Sequence, residues 1–343
     1  MSGGDEAINV AQSPAIPGLV FRRFRGEADF PGMAALLNAC ADADGLGYTD
    51  TVEGLRFLFD HLINCDPYQD MLFAELRSPV TGSTRTQVIA FGRVWWKRES
   101  TSEWIYPFHG FVDPVWRRRG LGRAMLRYNE GRLRHIAQDH APGPKWYQVW
   151  ATEGQAGAHA LFLGASYHPV RYMIEMVRPA AAPSASAPLP PGLEVRPALP
   201  EHYRPIWKAR EEAWQDHWGY VPFVEEDYRR WLDSPLFDPA LWKVAWEGDR
   251  VAGMVLNRID EAENARQRRR RGYTQDVFVL RPWRRRGLAR ALLTQSIEMF
   301  RDQGMDETAL GVDTQNPSGA LALYESAGYR ELHRHTVYRK AME

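Results

Sequence analysis

The sequence predicts a mixed-sheet α/β (α+β) fold laid down twice in tandem, and three observations carry that reading. First, "DPVWRRRGLGRAML" at 113–126 and "RPWRRRGLARALL" at 281–293 say nearly the same thing, with Gly120 and Gly287 at the same place in each. Second, each copy follows an alternating apolar hairpin pattern and a short strand, and each leads into an amphipathic helix. Third, "RPAAAPSASAPLPPG" at 178–192 parts the copies. It has no apolar periodicity, and its prolines keep it extended. A length of 343 residues fits about two domains of roughly 100–200 residues each. The expected division is an N-terminal domain at 1–178, a linker at 179–192 and a C-terminal domain at 193–343.

The elements follow in order. "LVFRRFRG" opens the first half as a short strand, and "LEVRPALP" opens the second. "MLFAELRSPVTGSTRTQVIAFGRVWWK" reads as a hairpin with a long loop. Its counterpart "LWKVAWEGDRVAGMVLNRID" turns tightly at Gly248-Asp249. "FHGFVD" and "QDVFVL" are the next strands, each running into the arginine-glycine turn. In "RGLARALLTQSIEMFRDQG", Leu288, Leu292, Leu293, Ile297 and Phe300 recur at helical spacing, and Gly304 suits a C-terminal cap. "ETALGVD" then reads as a strand, "NPSGALALYESAG" as a short helix and "YRELHRHTVYRK" as a closing strand.

Composition removes several function classes. The 43 Lys+Arg balance the 43 Asp+Glu, so no global field favours nucleic acid or a membrane surface. Cys40 and Cys65 are the two cysteines, far from any metal-ligand spacing, and read as reduced, packed thiols. No metal is expected. No run of about 18 apolar residues exists, and "MSGGDEAINVAQSP" lacks a secretory pattern. The expectation is a cytoplasmic protein, monomer or homodimer.

The repeated turn has a physical use. A strand that turns into a helix leaves the first helical N–H groups unpaired, at the positive end of the dipole. That is a seat for a phosphate or pyrophosphate. Gly287 removes the Cβ that would hold a ligand away from the main chain. Ala289 and Gly122 keep the next turn narrow, and Arg284, Arg285 and Arg286 add mobile positive charge. Neither G-x-G-x-x-G nor G-x-x-x-x-G-K-[ST] is present.

The runs Arg117-Arg118-Arg119-Gly120-Leu121-Gly122 and Arg284-Arg285-Arg286-Gly287-Leu288-Ala289, together with "GVDTQNPSGALALYESAGY", resemble the acyl-CoA loop, last strand and following helix of the GNAT acetyltransferase superfamily. The resemblance covers nearly the whole chain as two tandem GNAT acyl-CoA N-acyltransferase domains. Among tandem members the layout is similar to mycothiol synthase. The resemblance implies acetyl-CoA as co-substrate and a small amine as acceptor. The strand Val277-Phe278-Val279 would pair with the pantetheine arm, and the amides from Arg285 to Ala289 would hold the pyrophosphate. Asn316 would contact the pantetheine, and Tyr324 would stand near the thioester sulfur.

Acetyl transfer needs a proton acceptor for the amine, donors for an oxyanion and an acid for the leaving thiolate. Tyr324 is the expected acid. Asp276 is the first choice as base, with Asp313 its rival and His217 a further possibility. Trp214, His217, Trp218 and Tyr220 read as an acceptor wall or as helix cover. The first half lacks these groups: Gly154 stands for Asn316, Phe162 for Tyr324, His109 for Asp276 and Gly110 for Val277. It is therefore expected to be catalytically degenerate. "RQRRRRG" at 266–272 reads as a basic loop, either solvated or attracting an anion. Two alternatives stay open, a non-catalytic acyl-CoA sensor or scaffold and a protein or peptide amine as acceptor.

Overall fold

The computed structural model describes residues 7–80, 83–184 and 187–343. Parts of the N-terminal segment (1–6), of the first hairpin's connection (81–82) and of the Ala/Pro/Ser segment (185–186) lie outside the described residues. Contacts divide the chain into two compact units, Met1–Val170 with Thr336–Glu343, and Arg171–His335.

The first unit contains β1 (Leu19–Arg22), α1 (Phe30–Asp44), α2 (Val52–Asp60), α3 (Pro67–Asp70), β2 (Met71–Val80), β3 (Ser83–Val94), β4 (Lys97–Arg98), β5 (Trp104–Val112), α4 (Leu121–Ala137), β6 (Lys145–Thr152) and α5 (Ala156–Gly164). Its strands run β1-β2-β3-β5-β6, antiparallel except for the parallel pair β5/β6. The first hairpin corrects the expectation of a long loop. Pairing continues to Val80↔Ser83, so the extra residues lengthen the strands instead.

The chain passes into the second unit along β7 (His168–Pro179). There follow β8 (Glu194–Arg196), α6 (Tyr203–Trp214), α7 (Glu225–Leu232), β9 (Lys243–Glu247), β10 (Arg250–Ile259), α8 (Glu261–Gln267), β11 (Arg271–Val279), α9 (Leu288–Asp302), β12 (Glu307–Asp313), α10 (Ala320–Ser326) and β13 (Arg330–Ala341). The strand order is β8-β9-β10-β11-β12-β7, with β11/β12 the parallel pair. The five apolar positions read from the sequence of α9 are all buried, none above 2% exposed. Gly272 is glycine because the Phe300 ring lies on it, and a Cβ there would overlap that ring.

Contacts do not follow the composition break at 179–192. Residues Met173–Pro179 of β7 pair with β12 in the second unit. Arg178, 1% exposed, donates to the carbonyls of Ala182 and Pro183, while Leu189 and Leu193 pack on the second unit's core. At the other end, residues 336–343 complete the first unit. Arg339 bonds Gln148 and Glu99, Lys340 bonds Glu130, and the Met342 N–H donates to Lys145 O.

Only residues 268–270 of the 266–272 run form a loop. Arg266 and Gln267 end α8, Arg268 takes a left-handed cap conformation, and Arg271 begins β11. Arg269 pairs with Glu263, Arg270 with Asp306, and Arg271, 5% exposed, with Glu175 and Glu307. Arg269, Arg270 and Arg271 are thus paired with carboxylates 6 to 96 residues away.

Candidate active site

The parallel strand pair of each unit stops short. In the second unit β11 pairs with β12 from Arg271↔Glu307 to Thr274↔Leu310 and no further, while β12 continues along β7 to Asp313. Residues 275–279 thus present a free backbone edge to a wedge between the two strands, which an extended ligand can fill as an added strand. In the first unit β5 and β6 pair from Trp104↔Lys145 to Pro107↔Gln148 and part at the equivalent place.

At the end of β11 the chain turns through Pro282 and Trp283 into the loop. Arg285 (φ +59°) and Gly287 (φ +86°) both take left-handed conformations, and α9 starts at Leu288. Arg118 (φ +64°) and Gly120 (φ +91°) repeat this before α4. Alternation of hand turns successive N–H groups to one side, making an anion-binding nest on top of the helix N-terminus. A non-glycine residue held at positive φ costs about 1 kcal/mol or more, and both copies hold an arginine there. The space beside Gly287 is open, whereas a Cβ on Gly120 would meet Pro14 at 3.5 Å.

The three arginines do not act alike. Arg285 and Arg286 are exposed at the loop. Arg284 is not a mobile charge. Its Nε donates to Val279 O at 2.9 Å and its Nη2 to Asp216 at 2.8 Å, with Arg281 on the other oxygen of Asp216. The hydrogen bonds from Arg281 and Arg284 hold the Asp216 carboxyl below its usual range. Arg117 repeats the clamp on Val112 O and Asp44. Asp44 and Asp216 were invisible as functional residues in the sequence, lying outside every motif. Their signal is an acid at or just beyond the end of the first long helix of each unit.

Asp276 sits on β11 at 8% exposure, and Arg210 Nε from α6 donates to its Oδ2 at 2.8 Å. Phe278 is buried, and Val277 and Val279 are half-buried against the core. His217 lies among Asp276, Asp313 and Asp216. Burial pushes its imidazole below the usual range although these carboxylates pull it up. It stacks on Trp214, with ring centroids 4.6 Å apart. Trp214 and Phe223 also flank the Arg210 guanidinium. Tyr324 on α10 is 5% exposed, and burial, with Tyr329 and Asp276 nearby, pushes its phenol up. Asp313, by contrast, is engaged: Arg171 donates twice to its Oδ2, and the Gln315 N–H caps its Oδ1. Asn316 accepts from the Ser318 N–H through Oδ1 in a tight turn ahead of α10.

In the first unit Phe162 packs against Tyr167 and Tyr338 where the second unit has Tyr324. His109, at the place of Asp276, is enclosed with Trp95 and Phe111, and burial, then the Arg93 charge, holds it down at about 3.

Comparison with known proteins agrees with this fold. The model of the Acetyltransferase (GNAT) family matches residues 201–329. The chain is 30% identical over 236 residues to a mycothiol acetyltransferase of Geodermatophilus obscurus, covering 66% of this chain and 70% of the relative. It is 29% identical over 234 residues to the enzyme of that name from Salinispora tropica, covering 66% and 71%. A GCN5-related N-acetyltransferase from Sphaerobacter thermophilus superposes with TM-score 0.70 at 26% identity, over 95% of this chain and 96% of that one. A tandem GNAT protein of the clavulanic acid biosynthesis pathway shares the fold, with TM-score 0.61 at 15% identity over 95% and 99%. With the wedge, the nest and these relatives together, the chain belongs to the GNAT acetyltransferase family, as a tandem acetyl-CoA-dependent N-acetyltransferase.

Proposed function

We propose that the second unit carries the transfer, moving an acetyl group from acetyl-CoA to the primary amine of a small molecule. The observation that carries this is that a buried Tyr324 lies near Asp276 in the second unit, whereas Phe162 and His109 stand at the matching places in the first. The free edge of residues 275–279 receives the pantetheine, and the nest from Arg285 to Ala289 receives the pyrophosphate. Asn316 steadies the pantetheine through its side-chain amide. The amine approaches along the Trp214–His217 wall. Asp276 takes its proton through Oδ1, the oxygen that Arg210 leaves open. Attack on the thioester carbon makes a tetrahedral oxyanion, which N–H groups of the β11 edge stabilise. Collapse breaks the C–S bond, and the Tyr324 hydroxyl protonates the departing thiolate.

The relatives named mycothiol acetyltransferase make a cysteinyl amino-sugar the first acceptor to test. Native mass spectrometry with acetyl-CoA, beside a turnover assay on amines and on that thiol compound, decides the matter. Binding that Gly287→Glu removes, together with turnover on a small amine, supports the reading. Binding without turnover on any amine favours a sensor, and turnover on peptide amines alone moves the acceptor class.

A further inference from the structure

Beside the wedge of the first unit stands chemistry that acetyl transfer does not use. Arg93 lies on β3 opposite His109 of β5. It is 9% exposed, and its Nε and Nη1 are buried without a hydrogen-bond partner. Aromatic rings flank its guanidinium: Trp95 at 5.2 Å and Phe59 at 5.8 Å from the ring centroids. Rings stabilise the cation but accept nothing from its N–H edge.

No anion among the described residues answers this charge. The Cys65 thiol acts on it, but burial pushes that thiol up to about 12, so it stays neutral. Asp70 is committed to Arg132 and to the Asp66 N–H. An arginine remains protonated in a protein, and a buried unpaired charge is strongly destabilising. Such a group is retained where a ligand supplies the counter-charge.

The equivalent position sharpens the contrast. In the second unit the residue opposite Asp276 is Leu256, and the cation Arg210 comes from a helix to pair with that acid. In the first unit the strand supplies the cation and the acid is replaced by a neutral histidine. A site that presents an acid suits an amine, and one that presents a lone guanidinium suits an acid. Beside Arg93, Trp95 stacks on Trp150 with centroids 5.9 Å apart and planes 7° from parallel. Trp150, 39% exposed, opens this platform to solvent.

We propose that the first unit binds a small carboxylic acid with a flat apolar body, its carboxylate held by Arg93 and its body against Trp95 and Trp150. A single cation matches a monoanion better than a phosphate dianion. The proposal is independent of which unit carries acetyl transfer.

The test is saturation-transfer NMR on the full chain with benzoate and indole-3-acetate, their uncharged amides and inorganic phosphate. The expected result is millimolar or tighter binding of a carboxylate, none of its amide, and weakening by about 30-fold or more in Arg93→Met. Trp150→Ala, which retains the charge, should weaken the same probe and serves if Arg93→Met does not fold. Equal binding of acid and amide, no carboxylate binding in the millimolar range, unchanged binding in the folded variants, or preference for phosphate would each overturn the proposal.

Discussion

Arg284 holds Asp216 at 2.8 Å while its Nε bonds the carbonyl that ends β11, and Arg117 holds Asp44 in the same way at the end of β5. The first arginine of each run is thus a clamp that fixes the turn before any ligand arrives. Pre-organisation of this kind reduces the ordering cost of binding. Asp216→Ala should weaken acetyl-CoA binding about three- to tenfold, within the range of a partly exposed ion-pair network. Calorimetric titration at low and high salt checks it, with a smaller effect at high salt. Unchanged affinity would remove the clamp from the binding mechanism.

Tyr324→Phe should lower kcat by about 10²- to 10⁴-fold while leaving acetyl-CoA affinity unchanged. Steady-state kinetics with calorimetry separates the two quantities. Normal turnover would exclude the phenol as the acid.

Asp276→Asn keeps the shape of the side chain and removes its ability to take a proton. The expected loss is again about 10²- to 10⁴-fold in kcat/KM for the amine. Retained activity would transfer the role to His217, whose imidazole burial keeps neutral near pH 7.

His109 gives the first unit an acid-sensitive element. Its proton affinity in the fold is held down at about 3, against 6.5 for the free side chain. As pH falls below 6.5 the unfolded chain takes a proton that the fold refuses, so stability drops progressively toward pH 3. Above 6.5 the imidazole is neutral in both states and costs nothing. His109→Gln should flatten thermal stability against pH between 6.5 and 4 relative to the parent, which removes contributions common to both chains. Parallel curves would sink the assignment.

Gly272→Ala should destabilise the second unit by about 1–3 kcal/mol through overpacking, because the new methyl meets the Phe300 ring. Urea denaturation followed by tryptophan fluorescence reads it. A neutral result would mean that the ring moves aside freely.

The features legible in residue order are those governed by neighbours a few positions apart. The duplicated turn needs glycine at positive φ, α9 follows a 3.6-residue period, and the Gly248-Asp249 hairpin needs a residue that tolerates the turn. The placement of both arginine-glycine turns between a strand and a helix, and the Phe162 and His109 that stand where the second copy has Tyr324 and Asp276, were readable in this way. Long-range partnerships were not. The pairing of Arg270 and Arg271 with Asp306, Glu307 and Glu175 turns part of an apparent basic loop into an ion-paired strand start. The clamp of Arg284 on Asp216, the place of residues 336–343 in the first unit and the lone charge of Arg93 likewise depend on groups tens to hundreds of residues apart. Composition and periodicity record which side chains a segment carries. Folding alone chooses which distant side chain each will meet, because burial makes an unpaired charge costly and rewards whichever partner the packed sheet brings near.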